Sequence, residues 1–474
     1  MRKPVPHRAR LVAFMLAALP ALLRADPALS PLFADNAVLQ RDVAVPVWGT
    51  AARGEKITVT FAGQTRSTVA GAGGDWEVSL APMPARTGGA LVVTGRSTLT
   101  RTNLIVGDVW LCAGQSNMGL RVSEAAQADA EIAAASEPDI RQMCVPQNPA
   151  PEPQPDTVIH AGWQPASPQT VGEFSAVGFF FAREIHAALG VPVGLIHSSA
   201  GGTPIHSWLS LAALETLPGF RQAFGHFNAR PGSPALAVLL PARLYNGMIH
   251  PLLRYRLKGV LWYQGEGNAG GNPRDYVLQQ SRLIESWRAD WGGTAFPFYF
   301  VQLPNWSNPD DASQKKWAYF REGQAACLKL TNTGMAVTLD VGEPGSLHPK
   351  NKQAVGHRLA LIALAETYRR PVTASGPVMV ACEVQNQSIR VRFAQALGLQ
   401  TRDQQPPAGF EIAGADGNFS PARAEIDGDT VVVTSPQVAR PASLRYAWAD
   451  NPTVNLCNAA GLPAAPFRLD QPAR

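Results

Sequence analysis

Ser116 stands in the run Gly114-Gln115-Ser116-Asn117-Met118, directly after an apolar stretch at 109–113 with the composition of a buried strand and before residues that can open a helix. A serine at such a corner is held out of the sheet with helical N–H groups directed at it, a favourable setting for a nucleophile whose attack creates an oxyanion. The same serine could instead cap the helix. The run is not a GxSxG elbow, because Met118 occupies the place of the second glycine. A nucleophilic serine needs a base, and nine histidines are few enough to inspect. His348, in Gly345-Ser346-Leu347-His348-Pro349, follows the last strand expected in the α/β region and precedes a helix opening near Pro349, which puts it on the same rim as Ser116. His7 falls in the N-terminal leader, His160 and His226 in unpatterned stretches, and His186 inside an amphipathic helix.

Two more loops end on that rim. Ser198-Ser199-Ala200-Gly201-Gly202-Thr203 follows an apolar run at 193–197, and its glycines let N–H groups approach a ligand closely, although an ordinary strand-to-helix turn has the same composition. Trp262-Tyr263-Gln264-Gly265-Glu266-Gly267-Asn268 gathers amide and carboxylate groups with two aromatics at the end of the run at 260–263, and this much hydrogen-bonding capacity after a buried strand needs partners. No GxGxxG, Walker, HExxH or EF-hand spacing occurs, so neither nucleotide nor metal is indicated.

The elements that must position these loops are legible as a change of rhythm. Apolar strand candidates at 109–113, 193–197, 260–263, 298–302 and 336–339 alternate with helical patterns at 178–189, 274–291, 314–328 and 351–366. Such alternation predicts a parallel sheet covered on both faces, with its crevice at the carboxyl ends of the strands. Short alternating runs at 43–48, 56–61, 76–80 and 91–94 predict a β-sandwich before it, and runs at 378–382, 389–393, 424–426, 431–434 and 444–448 a β-module after it. The proline-rich stretch 146–155 reads as a surface excursion. The expected organisation is a leader at 1–25, an N-terminal β-sandwich at 26–105, an α/β domain at 106–370 and a β-rich module at 371–474.

The 474 residues are 46% hydrophobic and 16% charged, which suffices for roughly three domains with a large core. Five of the 41 basic residues fall in the first 25 positions, which hold no acid, so the rest of the chain carries as many bases as its 36 acids. A body with balanced charge has no net electrostatic reason to track phosphates, which excludes nucleic acid as a partner. The leader reads as a secretory signal: basic through Arg10, apolar over 11–23, small near Ala25, and with 13 apolar positions short for a membrane span of about 20. Its removal would leave an exported protein, periplasmic or secreted, with no membrane segment. The five cysteines show no CxxC spacing, which argues against a zinc or thioredoxin site, and the odd count leaves at least one thiol unpaired within the chain.

Five segments in order then carry a resemblance: Gly107-Asp108-Val109-Trp110-Leu111-Cys112-Ala113-Gly114-Gln115-Ser116-Asn117-Met118, Gly201-Gly202-Thr203-Pro204-Ile205, Leu244-Tyr245-Asn246-Gly247-Met248-Ile249, Trp262-Tyr263-Gln264-Gly265-Glu266 and His348-Pro349-Lys350-Asn351-Lys352-Gln353. Together they resemble the sialate O-acetylesterases and related carbohydrate acetylesterases of the SGNH hydrolase superfamily, from about residue 30 to 370, and the run 35–41 is similar to the leading β-domain of that family. The resemblance implies a flavodoxin-like α/β hydrolase domain with Ser116 as nucleophile and His348 as general base. It also implies an oxyanion hole drawn from the Ser116 N–H, a glycine of the Gly201-Gly202 pair, with Gly202 expected, and a side-chain amide, with Gln264 expected and Asn246 as the alternative. Asn246, Glu266 and Trp262 are expected to line the substrate, and no cofactor is needed.

Two departures from the family bear on the site. Many members carry an Asp two or three residues before the catalytic His, where this chain has Ser346 and Gly345. Glu343 is the loop acid that could fold back to orient His348; the competing arrangement is a Ser-His dyad whose imidazole is held by a backbone carbonyl. His206 stands where an acidic residue is expected after Gly-Gly-Thr-Pro-Ile. The implied reaction is removal of O-acetyl groups from sialic acid or a similar acetylated sugar through a serine acyl-enzyme. Acetyl xylan or another plant glycan is the alternative substrate, because the motifs identify the acetyl chemistry and not the sugar. A catalytically silent glycan-binding protein is the reading from another class, and the presence of both Ser116 and His348 speaks against it.

Overall fold

A strand that is apolar on both faces must be covered on both, and Ile105–Gly114 (β2) is buried along all 10 of its residues. The computed structural model, which describes residues 26–224, 234–307 and 309–470, builds an eight-stranded sheet around it; the expected leader at 1–25 lies outside the described residues. The other strands are Val38–Gln40 (β1), Ile140–Cys144 (β3), Gln164–Pro165 (β4), Val193–Ser199 (β5), Gly259–Tyr263 (β6), Phe298–Val301 (β7) and Thr333–Ala336 (β8). Their order is β4-β3-β5-β2-β6-β7-β8, with β1 on the start of β2, and every pairing is parallel except β3 with β4. The register sets Gly114 opposite Ser199 on one side and Tyr263 on the other, so the ends of β2, β5 and β6 come level. Their three loops therefore leave the sheet at one place, where the winding reverses and an open parallel sheet forms its crevice.

Two helix layers cover this sheet. Ala176–Leu189 (α2) and Lys352–Ile362 (α5) pack on one face, Pro273–Asp290 (α3) and Lys316–Ala326 (α4) on the other, and a single turn, Ser116–Gly119 (α1), follows β2. Trp110 of β2 meets Phe181 of α2 edge-on with ring centres 5.0 Å apart, while on the opposite face Trp262 of β6 meets Trp287 of α3 at 5.7 Å. Among the described residues no helix is long and apolar enough to cross a membrane.

The expected last strand at 336–339 forms three residues earlier as β8, and β3 was not anticipated, because Arg141 and Gln142 interrupt its apolar run. Both are nonetheless buried and satisfied: the Arg141 guanidinium donates to the carbonyls of Pro138, Asn36 and Asn103, and Gln142 Oε1 accepts from the Ser175 N–H. The N-terminal region holds a three-stranded and a four-stranded antiparallel sheet; Gln64–Val69 and Thr98–Arg101, polar and exposed or half-exposed throughout, escape the alternation that marks their neighbours. β1 links this region to the main sheet. Buried Asp108 fastens the joint, accepting two bonds from the Arg41 guanidinium at 2.9 Å each, one from Gln40 Nε2 at 3.1 Å and one from the Tyr368 hydroxyl at 2.9 Å. The expected boundary at 105 thus falls within a continuous ladder. All five cysteines are unpaired.

The C-terminal residues form two four-stranded antiparallel sheets and a two-stranded one. Their attachment to the α/β region runs through Arg321 of α4, which has no exposed surface and donates to the carbonyls of Leu303, Pro304, Ala449 and Asp450 at 2.7–2.9 Å. Arg321→Met should leave the carbonyls of Leu303, Pro304 and Ala449 without a donor, the Asp450 carbonyl keeping the Trp306 N–H, and lower unfolding free energy by about 3 kcal/mol or more, measured by denaturant titration.

Candidate active site

Gly114 turns the chain out of the sheet. Its φ is +140°, and a Cβ there would lie 2.1 Å from the Tyr263 carbonyl oxygen, so both the conformation and the approach require glycine. The next N–H, of Gln115, donates to that same carbonyl at 2.9 Å, and α1 begins one residue later with Ser116. Ser116 Oγ lies 2.8 Å from Nε2 of His348, 232 residues further along the chain. The two leading sequence candidates are therefore joined by a hydrogen bond, with Nε2 accepting from the hydroxyl when the imidazole is neutral.

The loop at 337–351 delivers His348. Its backbone N–H donates to Ser346 Oγ at 3.1 Å, and the preceding carbonyl, of Leu347, accepts from Asn117 Nδ2 at 3.0 Å. Glu343 does not fold back onto the imidazole: its Oε1 accepts from the Lys350 N–H at 2.7 Å, closing the loop on itself. Asp340 is held bidentately by Arg358 at 2.6 Å and faces Arg402 at 3.1 Å. Among the described residues no carboxylate is hydrogen-bonded to the His348 ring; of the two arrangements the sequence left open, Glu343 as orienting acid and a Ser-His pair, the contacts are those of the pair. Burial lowers the pKa of His348, the positive charge of Lys352 lowers it further, and the carboxylate of Glu124, on the short turn Val122–Glu124, acts in the opposite sense.

Three N–H groups beside this pair have no acceptor among the described residues: those of Ser116, Gly201 and Gly202. A Cβ on Gly201 would lie 3.6 Å from Ser116 Cβ, so the Gly-Gly turn borders Ser116. The expected amide donors do not join them. Gln264 has no exposed surface; its Nε2 donates to the Thr203 carbonyl at 3.1 Å and to Asn268 Oδ1 at 2.7 Å, while its Oε1 accepts from the Tyr276 hydroxyl at 2.9 Å. Asn246 is likewise spent, donating to the carbonyls of Ala150 and Pro151 and so pinning the proline-rich excursion. Trp262 is buried between Trp208 and Trp287 and lines core, not substrate. The amide that remains is that of Gln115: its Oε1 accepts from the N–H of Gly267 at 3.1 Å and of Gly265 at 3.4 Å, which orients Nε2 away from them with no acceptor among the described residues. His206 is mostly buried and its Nε2 faces the Leu239 carbonyl at 2.9 Å.

Glu266 is brought to the site, but underneath it. Its Oε1 accepts from Asn117 Nδ2 at 2.5 Å, and burial raises its pKa. Asn117 Oδ1 in turn accepts from Lys352 Nζ at 2.6 Å. Sequence reasoning passed over Asn117, Lys352 and Glu124 as functional residues. The first two stand inside quoted motifs, and a lysine at the opening of a helix, where the dipole disfavours a cation, was a signal available for the second. Glu124 lies 224 positions from His348, and nothing local marks it.

A hydroxyl hydrogen-bonded to an imidazole at the mouth of a parallel sheet, with uncommitted N–H groups alongside, is equipment for acyl transfer. Residues 106–365 match the family of carbohydrate esterases described as sialic acid-specific acetylesterases. Sialate O-acetylesterases of Pongo abelii and Homo sapiens are 33% and 32% identical to it over 420 and 419 residues, in each case 80% of this chain and 78% of theirs. The crystal structure of a carbohydrate acetylesterase from Xanthomonas citri, 40% identical, matches with a TM-score of 0.87 over 94% of this chain and 99% of that one. The chain belongs to the sialic acid-specific acetylesterase family of carbohydrate esterases, and it is an esterase.

Two outcomes follow from the geometry. A histidine base acts when neutral, and the His348 pKa is lowered, so with His348 in that role the acid limb of kcat/KM should have its midpoint below the ordinary imidazole value of 6.5 in a pH–rate profile. Glu343→Gln keeps an oxygen for the Lys350 N–H and removes no partner of the ring, so its kcat at neutral pH should stay within about threefold of wild type, where loss of a triad acid costs orders of magnitude.

Proposed function

We propose that the chain hydrolyses O-acetyl esters of sialic acid through an acyl-enzyme on Ser116, with His348 as general base. The observation that carries this is the 2.8 Å Ser116–His348 hydrogen bond at the sheet's crevice. Ser116 Oγ attacks the acetyl carbonyl carbon while its proton passes to His348 Nε2. The carbonyl oxygen becomes an oxyanion facing the N–H groups of Ser116 and of Gly201 or Gly202, with Gln115 Nε2 as the side-chain donor in place of Gln264. Collapse of the tetrahedral intermediate breaks the bond to the sugar oxygen, which leaves as an alcohol with the proton from His348. Water then gives its proton to His348 and attacks the acetyl-serine; acetate departs, and Ser116 recovers its proton.

Sialate specificity is supported by the family match and by the relatives' shared name. Acetyl xylan or another acetylated plant glycan is the second reading, favoured by the broader name of the 40% identical structure. The strand order around β2, with β5 on one side and β6, β7 and β8 following on the other, supports an SGNH-type, flavodoxin-like catalytic domain over 106–370, carrying the β3–β4 pair as an edge addition between a sandwich over 26–105 and a β-module over 371–474. The signal-like leader supports export to the periplasm or medium.

Ser116→Ala should cost several orders of magnitude in acetate release from p-nitrophenyl acetate with an unchanged unfolding transition; retention of a tenth of wild-type rate, only about 1.4 kcal/mol of barrier, would contradict the assignment. Side-by-side kcat/KM on O-acetylated sialic acid and acetylated xylan separates the two substrate readings, the first expected to be the larger.

A further inference from the structure

The chemistry above leaves unexplained a lysine at the first position of α5. Lys352 has no exposed surface, it sits at the positive end of its helix, and burial pushes its pKa down to about 8. Burial and the helix dipole both disfavour an ammonium here, whereas an apolar side chain of the same length would fill the space without that cost. The ammonium's hydrogen bond goes to Asn117 Oδ1 at 2.6 Å, and the Tyr263 ring stands 5.2 Å away. An amide has two nearly identical ends, and the cation decides between them. With Oδ1 committed to Lys352, Nδ2 must point at Glu266 Oε1 and at the Leu347 carbonyl, and it does so at 2.5 and 3.0 Å. One side chain, adjacent to Ser116, thus holds the peptide adjacent to His348.

We propose that Lys352 is a positioning residue for the reaction: acting through Asn117, it fixes the Leu347 carbonyl and thereby seats the His348 ring on Ser116, the orienting task that a triad carboxylate performs elsewhere. The proposal rests on the reading of Ser116 as nucleophile and His348 as base. It accounts for how the imidazole keeps its place with Glu343 turned away and with no carboxylate hydrogen-bonded to the ring among the described residues. It also assigns an electrostatic role. The groups that act on His348 are Ser116, Lys352 and Glu124, and those that act on Lys352 are Asn117, Tyr263, Glu266 and Glu343. The Lys352 charge disfavours the imidazolium and keeps the base neutral into mildly acidic solution; Glu124 opposes it.

The test uses the full chain and p-nitrophenyl acetate. Lys352→Met removes the charge at similar volume, and Asn117→Asp keeps the ammonium's partner but turns a second carboxylate oxygen on the Leu347 carbonyl and Glu266. Both should lower kcat about 30-fold or more with KM within about threefold, because what is lost is alignment in the transition state and not ester binding. In Lys352→Met the acid limb of kcat/KM should also move up by at least about half a pH unit, a displacement that simple loosening of the core would not produce. A folded Lys352→Met enzyme with kcat within about threefold of wild type and an unmoved acid limb overturns the proposal. If Lys352→Met does not fold, Asn117→Asp decides alone, and a kcat within about threefold of wild type is again fatal. Ser116→Ala, assayed in parallel, keeps the two readings distinct: an active Ser116→Ala removes the nucleophile assignment, whereas an inactive one beside normal Lys352 and Asn117 variants removes only the positioning role.

Discussion

At Gly114 the central strand stops level with Ser199 on one neighbour and Tyr263 on the other, and the site depends on that register. A one-residue slip of either pairing would point the wrong side chains into the crevice and separate the Gly-Gly turn from the serine that it borders. The register is held by strands buried on both faces, so the precision of the rim derives from the core, from Trp110 against Phe181 on one side and Trp262 against Trp287 on the other. Trp262 therefore contributes to the chemistry without touching it.

Much of this was legible in the sequence, for identifiable reasons. Long apolar runs such as β2 can be nothing but buried strands, and the helices α2 and α3 carry apolar stripes, so each was placed to within a few residues. Ser116 and His348 followed because both had to lie at carboxyl ends of such strands. What failed was the assignment of polar side chains inside the loops. Gln264, Asn246 and Glu343 have the right chemistry, but whether an amide or carboxylate faces a ligand or its own backbone is settled by contacts from distant segments: Thr203 and Tyr276 for the first, the 150–151 carbonyls for the second, a single loop N–H for the third. β3 and Gln64–Val69 were missed for the complementary reason, since strands whose exposed or hydrogen-bonded polar residues break the alternation carry no periodic signal.

Buried charges in this chain sit at joints. Asp108 ties β1 and the loop before it to β2, and Lys352 and Glu266 flank the amide that links the serine and histidine loops. Arg321 ties the C-terminal sheets to α4. Asp108 and Arg321 are each held by directional bonds from more than one segment, while Lys352 and Glu266 meet on the two ends of the single Asn117 amide; in each case the bonds specify one relative placement where an apolar contact would tolerate several.

The Arg321 attachment extends further than its own four bonds. Asn305, just beyond the carbonyls that Arg321 grips, donates to Asn451 Oδ1 and accepts the Gly342 N–H at 2.8 Å, at the start of the loop that carries His348. The C-terminal sheets are thus continuous, through backbone and two amides, with the loop that carries His348. In engineering terms it is not a cassette. A foreign carbohydrate-binding module could be appended after residue 470, but substituting one for residues 371–470 would remove the contacts of residues 449–451 and release the histidine loop from one side, so modular exchange in this esterase has to graft those three residues along with the new sheet.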